Sequence, residues 1–431
     1  MSKITVFPRT KLTGEISVDG DKSITHRAIM HASLADGVSH ISHFLNGNDC
    51  QATIDCMRSV GIKIVETENT LTITGKGIHG FSQPAMDLYC VRSGTTIRLL
   101  MGLLCGMQEK TFTLNADEQL LKRPMERVAK PLREMGADIQ TTNGKPPVKV
   151  NGKKLHGGNI HLEVPSAQVT SAVIYAGLFA DGQTVITQNA TIRDHTIRML
   201  NGQGAAIQRS GNEIRVTPVT SLNPFEMIIP GDISSAAFPI VAAALSAHSE
   251  IKIKDVGIND SRMGLIDVLQ QMGADIEIEN AQMQAIEPIG DLVIKSSNLS
   301  AINLGGDTIV RAIDEVPLIA LLATQAKGKT IIRDAQELRV KETDRIDTIC
   351  TELKRMGAKI EPTPDGMIIE GPIPLKGANV TSHGDHRIAM ALFIAGCIAD
   401  SETRINEFEC VTDSFPGFLE VMSSIGALYE Q

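Results

Sequence analysis

The sequence predicts an α/β protein with two similar domains, each made of three β-α-β-α-β-β units, and two observations support this. A helix rich in small residues recurs six times, beginning near Gly20, Ser93, Ser166, Gly231, Asp314 and Gly384. Each copy is followed by a helix end, a glycine and a strand, with the glycines at Gly61, Gly136, Gly204, Gly273, Gly357 and Gly426. Their spacing of 68 to 84 residues is too long for a solenoid of short repeats and suits a compact unit.

The domain boundary is predicted at the proline-bounded segment SLNPFEMIIP, directly before Gly231. One domain is then residues 20–230, and the other combines residues 1–19 with residues 231–431. The strand-like segment ITVFPRTKLTGEISV precedes the first helix and is expected to pair within the second of these domains. Two pseudo-symmetric halves predict a ligand-binding cleft between them.

Composition excludes several functional classes. A hydrophobic fraction of 42% supports full cores, whereas aromatics at 3% and the absence of Trp disfavour stacking platforms for nucleic acid. The net charge of −9 disfavours a nucleic-acid or acidic-membrane surface. The seven cysteines form no C-x-x-C pair, and no apolar run reaches membrane-spanning length. The expectation is a cytoplasmic protein with reduced, buried thiols.

Basic side chains gather where helices are predicted to begin. They are Lys22 and Arg27, Arg123, Lys341 and Arg345, and Arg387. Taken singly, each suits a solvated surface charge. Helix N-termini favour anions, however, and Arg grips carboxylate and phosphate with two parallel hydrogen bonds. Together these residues predict an anion site, in which Lys341 and Arg345 share one helical face with Glu342 beside them.

Nine ordered motifs cover essentially the whole chain: GDKSITHR, SGTTIRLL, RPM, SAQ, PGDISSAAF, IDEVP, LRVKETDRI, GDHRIAMA and SFPGF. With these motifs the sequence resembles the 5-enolpyruvylshikimate-3-phosphate synthase family. The resemblance implies domains of the inside-out α/β barrel type. It also implies transfer of the enolpyruvyl group of phosphoenolpyruvate to the 5-hydroxyl of shikimate 3-phosphate, with release of phosphate. A monomer that needs neither metal nor cofactor is expected, with these two small molecules as its partners.

The resemblance also implies roles for individual residues. The catalytic groups would be Asp314 as base on the 5-hydroxyl, Glu342 as acid toward the methylene carbon, and Lys22 at the leaving phosphate. Shikimate 3-phosphate would be bound by Lys22, Ser23, Arg27, Ser166, Ala167, Gln168, Arg193, Asp314 and Lys341. Phosphoenolpyruvate would be bound by Lys22, Gly94, Arg123, Gln168, Arg345 and Arg387.

Two departures from the family pattern affect expected substrate contacts. Arg92 replaces an Asn directly before Ser93 and Gly94, and adds a charge beside the expected phosphoenolpyruvate loop. This predicts reduced sensitivity to glyphosate, an inhibitor of the family that competes at that subsite. Asp413 stands where many members carry a Lys, which predicts weaker binding of the phosphoenolpyruvate carboxylate.

Two alternative functions make different predictions for the sequence. The enolpyruvyl transferase that acts on UDP-N-acetylglucosamine carries Lys-Asn at the first helix and usually a Cys in its mobile loop. Here Lys22 is followed by Ser23, and the segment ADEQLLKRPM contains no Cys. A non-catalytic, phosphate-binding homologue predicts loss of catalytic and substrate-binding residues, yet six of them are present, namely Lys22, Arg123, Asp314, Glu342, Arg345 and Arg387.

Overall fold

The chain folds into two compact α/β units. The computed structural model describes residues 3–9, 11–163, 166–190 and 192–431. One unit, called the inserted unit, spans Lys22–Ile229. The other, called the split unit, combines the segment ending at Asp21 with Pro230–Gln431. Each unit contains three four-stranded sheets, in agreement with the predicted α/β fold class.

The first two strands belong to the split unit. They are β1 (Lys3–Phe7) and β2 (Thr13–Ile16). Strand β1 pairs antiparallel with residues 403–406 and 428–430, while β2 pairs parallel with residues 250–253. The prediction that this segment pairs within the later part of the chain is confirmed.

The inserted unit alternates helices and strands. Its helices are α1 (Lys22–Leu34), α2 (Asn48–Ser59), α3 (Gly94–Leu104), α4 (Glu118–Leu121), α5 (Glu126–Glu134), α6 (Ala167–Leu178) and α7 (His195–Gly202). Its strands are β3 (Val38–Ser42), β4 (Lys63–Glu66), β5 (Thr70–Thr74), β6 (Leu88–Tyr89), β7 (Thr111–Asn115), β8 (Asp138–Thr142), β9 (Lys145–Asn151), β10 (Gly158–Leu162), β11 (Thr184–Gln188), β12 (Ile207–Ser210), β13 (Glu213–Val216) and β14 (Glu226–Ile228).

The sheets of the inserted unit share one topology. Their strand orders are β14-β3-β5-β4, β6-β7-β9-β8 and β10-β11-β13-β12. In the last of these, β10 and β11 run parallel with α6 between them, whereas β13 is antiparallel to both β11 and β12. This is the predicted β-α-β-α-β-β unit. In the first sheet the parallel partner of β3 is β14, which comes from the end of the inserted unit.

The split unit repeats this plan. Its helices are α8 (Ile233–Leu245), α9 (Gly264–Gln271), α10 (Asp307–Ala312), α11 (Val316–Gln325), α12 (Arg345–Arg355), α13 (His386–Cys397) and α14 (Phe418–Ser424), with 3-10 segments at Asp260–Arg262, Gln336–Val340 and Phe408–Asp413. Its further strands are β15 (Glu250–Gly257), β16 (Ile276–Gln284), β17 (Glu287–Lys295), β18 (Asn303–Leu304), β19 (Gly328–Ile332), β20 (Lys359–Thr363), β21 (Gly366–Gly371), β22 (Asn379–Thr381), β23 (Thr403–Asn406) and β24 (Leu428–Glu430). The strand orders are β16-β17-β15-β2, β18-β19-β21-β20 and β22-β23-β1-β24.

The six repeated glycines end six helices in the same way. Each has a positive φ, between 87° and 103°. At Gly136 the amide donates to the carbonyl of Arg133, and the amide of Ala137 donates to the carbonyl of Leu132. These two bonds form the Schellman motif, which needs a left-handed residue after the helix and therefore favours Gly.

The long helices form the cores of the units. Every residue of α13, and every residue of α8 except the last, is buried, as expected for helices that are apolar on all sides. In the inserted unit α3 packs against α6 at Gly102, where an added Cβ would lie 2.1 Å from the carbonyl oxygen of Ala172. Small residues thus allow helices to pack closely within a unit. Side chains at the N-termini of neighbouring helices can therefore contact one another.

Candidate active site

The inserted unit places Lys22 at the first residue of α1, beside a carboxylate. Its Nζ lies 3.1 Å from Oδ2 of Asp49 on α2, and both side chains are largely shielded from solvent. Ser23 follows in the same turn, and its carbonyl accepts a hydrogen bond from Nη1 of Arg27 at 2.9 Å. The ammonium group of Lys22 is therefore held at a helix N-terminus, where an anion is favoured.

Arg27 is buried and is held by hydroxyl groups. Its Nε donates to Oγ1 of Thr196 at 2.6 Å, and its Nη2 donates to Oγ of Ser171 at 2.9 Å. The two hydroxyls also bond each other at 2.7 Å. The hydroxyl groups of Thr196 and Ser171 thus help to fix the orientation of this guanidinium group.

Two further guanidinium groups approach the start of α3. A Cβ added to Gly94 would lie 2.9 Å from Nη1 of both Arg98 and Arg123, so a larger residue here would displace these guanidinium groups. Nη1 of Arg98 donates to Oε1 of Gln168 at 2.7 Å, and Nε2 of Gln168 donates to Thr95 at 2.9 Å. Two cations beside a helix N-terminus make a strong anion site.

A chain of buried polar side chains joins α1, α2 and α3. Nδ1 of His26 lies 2.7 Å from Oγ1 of Thr53, which lies 2.7 Å from Oγ1 of Thr96. The Thr96 hydroxyl donates to Oγ of Ser93 at 2.7 Å, and Ser93 caps α3 by accepting the Thr96 amide. The loop that precedes Gly94 is therefore anchored to the other two helices.

The remaining predicted residues of the inserted unit lie at two more helix starts. Ser166 is the N-cap of α6, with Ala167 and Gln168 in its first turn. Arg193 is partly exposed and directly precedes Asp194, the N-cap of α7. The position of Ser166 agrees with the helix start expected from the sequence.

In the split unit two cations converge on Asp314. Nζ of Lys341 lies 3.3 Å and Nη1 of Arg345 lies 3.7 Å from its Oδ1. The prediction that Lys341 and Arg345 share a helical face is wrong, because the 3-10 segment ends at Val340 and α12 begins only at Arg345. Asp344 caps α12 by accepting the amide of Asp347, and this cap fixes the later start.

Arg345 is the centre of a second set of ion pairs. Its Nη2 lies 2.6 Å from Oε2 of Glu342, and its Nε and Nη2 reach the two oxygens of Asp385 at 2.8 and 3.3 Å. Burial raises the pKa of Asp385, but the attraction of Arg345 and His386, together with the hydrogen bond from Arg345, holds the pKa below its ordinary value. The carboxylate of Asp385 also caps α13 by accepting the Arg387 amide.

Arg387 in the first turn of α13 is held from the side of α11. Its Nη1 donates to the carbonyl of Asp314 at 3.1 Å and to Oε1 of Glu315 at 3.4 Å. Glu315 is buried. One backbone segment therefore contributes both the Asp314 carboxylate and the partners that hold Arg387.

Arg92 and Asp413, the two departures from the family pattern, both lie outside the α-helices. Arg92 is exposed, and its Nε lies 3.6 Å from Oδ2 of Asp117, whose other oxygen accepts the Tyr89 hydroxyl. Asp413 is the last residue of the 3-10 segment that precedes α14. The added charge of Arg92 is thus paired with a carboxylate of the next loop.

Five side chains that contribute to the polar contacts described above were not predicted from the sequence. They are Asp49, Arg98, Arg262, Glu315 and Asp385. Asp385 directly precedes His386 in the motif GDHRIAMA, and Arg98 lies four residues after Gly94 in the motif SGTTIRLL. Their positions inside these motifs could have indicated a role at the site. Arg262 lies outside every quoted motif and carries no such signal.

The sequence profile of one family, described as EPSP synthase (3-phosphoshikimate 1-carboxyvinyltransferase), matches residues 6–422. The chain belongs to this family. Its relatives include 3-phosphoshikimate 1-carboxyvinyltransferases from Geobacillus kaustophilus, 49% identical over 420 residues, and from Desulforamulus reducens, 46% identical over 426 residues. These alignments cover 96% and 98% of this chain, and 98% and 99% of the relatives.

The fold of the EPSP synthase family is confirmed by solved structures. The chain is similar to EPSP synthase from Acinetobacter baumannii with a TM-score of 0.89 and 41% identity, covering 100% of this chain and 99% of the other. A second structure of EPSP synthase from that organism gives a TM-score of 0.88 at 40% identity, with full coverage of both chains. No helix in the described ranges is long and apolar enough to span a membrane.

Proposed function

We propose that this chain transfers the enolpyruvyl group of phosphoenolpyruvate to the 5-hydroxyl of shikimate 3-phosphate and releases phosphate. The observation that carries the proposal is the pair of carboxylates, Asp314 and Glu342, that meet the guanidinium group of Arg345. Addition followed by elimination needs groups that both accept and donate protons, which such a pair supplies. Membership of the EPSP synthase family supports this function over transfer to UDP-N-acetylglucosamine.

The substrates are both anions, and the proposed binding residues divide between them. Shikimate 3-phosphate is assigned to Lys22, Ser23, Arg27, Ser166, Ala167, Gln168, Arg193, Asp314 and Lys341. Phosphoenolpyruvate is assigned to Lys22, Gly94, Arg123, Gln168, Arg345 and Arg387. The hydroxyl-held guanidinium of Arg27 and the two guanidinium groups at Gly94 support these assignments, because both present positive charge at helix starts.

In the proposed addition step, Asp314 takes the proton of the 5-hydroxyl as its oxygen bonds to C2 of phosphoenolpyruvate. Glu342 gives a proton to C3, so that the methylene group becomes a methyl group and C2 becomes tetrahedral in the intermediate. Lys341 and Arg345 keep the carboxylate of Asp314 oriented beside positive charge.

In the proposed elimination step, the bond between C2 and the phosphate oxygen breaks, and Glu342 takes one proton back from the methyl group. Lys22 either donates a proton to the departing phosphate or stabilises its negative charge. Its pairing with Asp49 at 3.1 Å favours the charged ammonium form that this role requires.

Phosphate release from phosphoenolpyruvate tests this function. The protein is supplied with either shikimate 3-phosphate or UDP-N-acetylglucosamine as acceptor, and release only with shikimate 3-phosphate is expected. Glu342→Gln should reduce kcat by at least about 100-fold, because the proton donor to carbon is lost. Glu361→Gln, at an exposed position of strand β20, serves as the matched control. Release only with the sugar nucleotide would overturn the assignment.

We also propose that the two units are the functional domains and that the enzyme is a cytoplasmic monomer. All seven cysteines are buried and none forms a disulfide bond, which suits a reducing compartment. Sedimentation velocity at micromolar concentration should give a single species of the 46.4 kDa chain, and a dimer would contradict the monomer.

A further inference from the structure

A buried hydroxyl in the split unit lies between two charged groups of opposite sign. Ser234, in the first turn of α8, accepts a hydrogen bond from Nη2 of Arg262 at 2.6 Å. Its own hydroxyl donates to Oε1 of Glu315. All three side chains are buried, so water does not compete for these bonds.

Arg262 is itself fixed by acidic groups near the segment where the split unit resumes. Its Nη2 lies 3.3 Å from Oδ1 of Asp232, the N-cap of α8, and 3.8 Å from Oδ2 of Asp21. The amide of Asp21 in turn donates to the carbonyl of Pro230 at 2.8 Å. The guanidinium group therefore cannot shift freely, and it presents a fixed donor to Ser234.

Glu315 connects Ser234 to Arg387. The same oxygen, Oε1, that accepts the Ser234 hydroxyl also accepts Nη1 of Arg387 at 3.4 Å. The Arg387 contact is the longer of the two. Because Oε1 accepts both hydrogen bonds, the two donors compete for its negative charge. A strong hydrogen bond from Ser234 therefore weakens the hydrogen bond between Glu315 and Arg387.

We propose that Ser234 is a positioning residue for phosphoenolpyruvate binding. By engaging Glu315, it keeps the guanidinium of Arg387 oriented and only partly neutralised, so that a substrate carboxylate can take up its remaining donors. This inference rests on the proposed role of Arg387 in holding that carboxylate. Ser234 acts through Glu315 and touches neither substrate in this scheme.

Removing the hydroxyl should turn Glu315 toward Arg387. In Ser234→Ala the carboxylate loses its donor and gains from closer pairing with the guanidinium, which then competes with the substrate carboxylate. The KM for phosphoenolpyruvate is expected to rise about tenfold, the scale of one hydrogen bond to a charged group. The KM for shikimate 3-phosphate should not change, whereas a general structural defect would affect both.

Ser235→Ala is the matched control, because Ser235 is the next residue of α8 and is equally buried. It should leave both KM values as in the parent. If Ser234→Ala is too unstable to assay, Ser234→Cys retains a weak donor and should give an intermediate KM for phosphoenolpyruvate. Equal KM values in parent and Ser234→Ala, or equal shifts for both substrates, would overturn the inference.

A readout independent of turnover separates this inference from the proposed function. The side-chain nitrogen resonances of Arg387, assigned through Arg387→Lys, should shift in Ser234→Ala and remain in place in Ser235→Ala. If the parent fails to release phosphate, the proposed function is lost while this measurement still decides the positioning role. Unchanged Arg387 resonances in Ser234→Ala would refute that role.

Discussion

The hydroxyl oxygens of Thr53 and Thr96 lie 2.7 Å apart in the core of the inserted unit. This contact joins the middle of α2 to the first turn of α3. Because Thr96 also bonds the N-cap Ser93, the contact couples the start of α3 to a helix that carries Asp49, the partner of Lys22. The position of the expected phosphoenolpyruvate loop thus depends on two small side chains that touch no substrate in the proposed scheme.

Thr53→Val should lower the free energy of unfolding by about 1–3 kcal/mol, because Thr96 and His26 each lose a buried hydrogen-bond partner. Urea unfolding measures this loss. Thr184→Val is the control, since Thr184 is equally buried and its hydroxyl bonds none of the described residues. Similar losses in both variants would show that the hydroxyl bonds contribute little.

Arg345→Lys should cost about 2 kcal/mol of stability and raise the KM for phosphoenolpyruvate. A lysine cannot reproduce the fork that meets both oxygens of Asp385 and also Glu342. Urea unfolding and steady-state kinetics check the two effects. Arg355→Lys, exposed at the end of the same helix, should change stability by less than about 0.5 kcal/mol. A parent-like Arg345→Lys would contradict the assigned role.

Asp232→Asn should alter the pH dependence of stability. Burial, followed by repulsion from Asp21, raises the pKa of Asp232 from 3.8 to about 6, against the opposing attraction of Arg262 and Arg387. The folded state therefore binds the proton more tightly than the unfolded state. Ionisation then costs stability as the pH rises from about 4 to 6.

The Asn variant does not ionise, so its stability relative to the parent should improve over this range by up to about 3 kcal/mol. Above about pH 7 the difference should become constant. Urea unfolding of both proteins at half-unit pH steps measures it. Parallel stability curves from pH 4 to 7 would rule out a raised pKa for Asp232.

Gly273→Ala should destabilise the split unit by about 1–2 kcal/mol, because alanine is strained at a φ of 87°. The added Cβ meets nothing closer than the carbonyl oxygen of Asn298 at 3.9 Å, so the cost is conformational. Gly182→Ala is the control, since Gly182 lacks a positive φ and its Cβ would enter open space. Thermal unfolding compares the two, and equal melting temperatures would contradict the strain.

Arg92→Asn should increase inhibition by glyphosate. Arg92 adds a charge two residues before Gly94, and its link to Asp117 ties the loop to the segment that follows β7. Inhibition curves at a fixed phosphoenolpyruvate concentration test this. If parent and variant are inhibited equally and tightly, the charge at this position does not affect the subsite.

The repeat and the helix starts were predictable because local sequence determines them. A glycine after a helix favours the Schellman motif, and this signal is present at all six positions. The motif residues stand at helix N-termini for the same local reason. Lys341 is the exception, because Asp344 caps α12 and the helix therefore begins only at Arg345.

The partners of these residues were not predictable, because they are distant in sequence. Asp385 lies 40 residues from Arg345, and Gln168 lies 70 residues from Arg98. Such pairs depend on how helices of different repeat units pack, which one sequence does not reveal. The same applies to Arg262 and Asp232, whose charges meet only after folding.

The pairing of β1 with β23 and β24 has a consequence for synthesis on the ribosome. The inserted unit is continuous in sequence and can complete all three of its sheets while the rest of the chain is still being made. Strand β1, in contrast, is translated before the inserted unit, whereas both of its partner strands are translated after it. The nascent protein therefore carries an unpaired strand through most of its translation, and this strand is the natural target for chaperone protection.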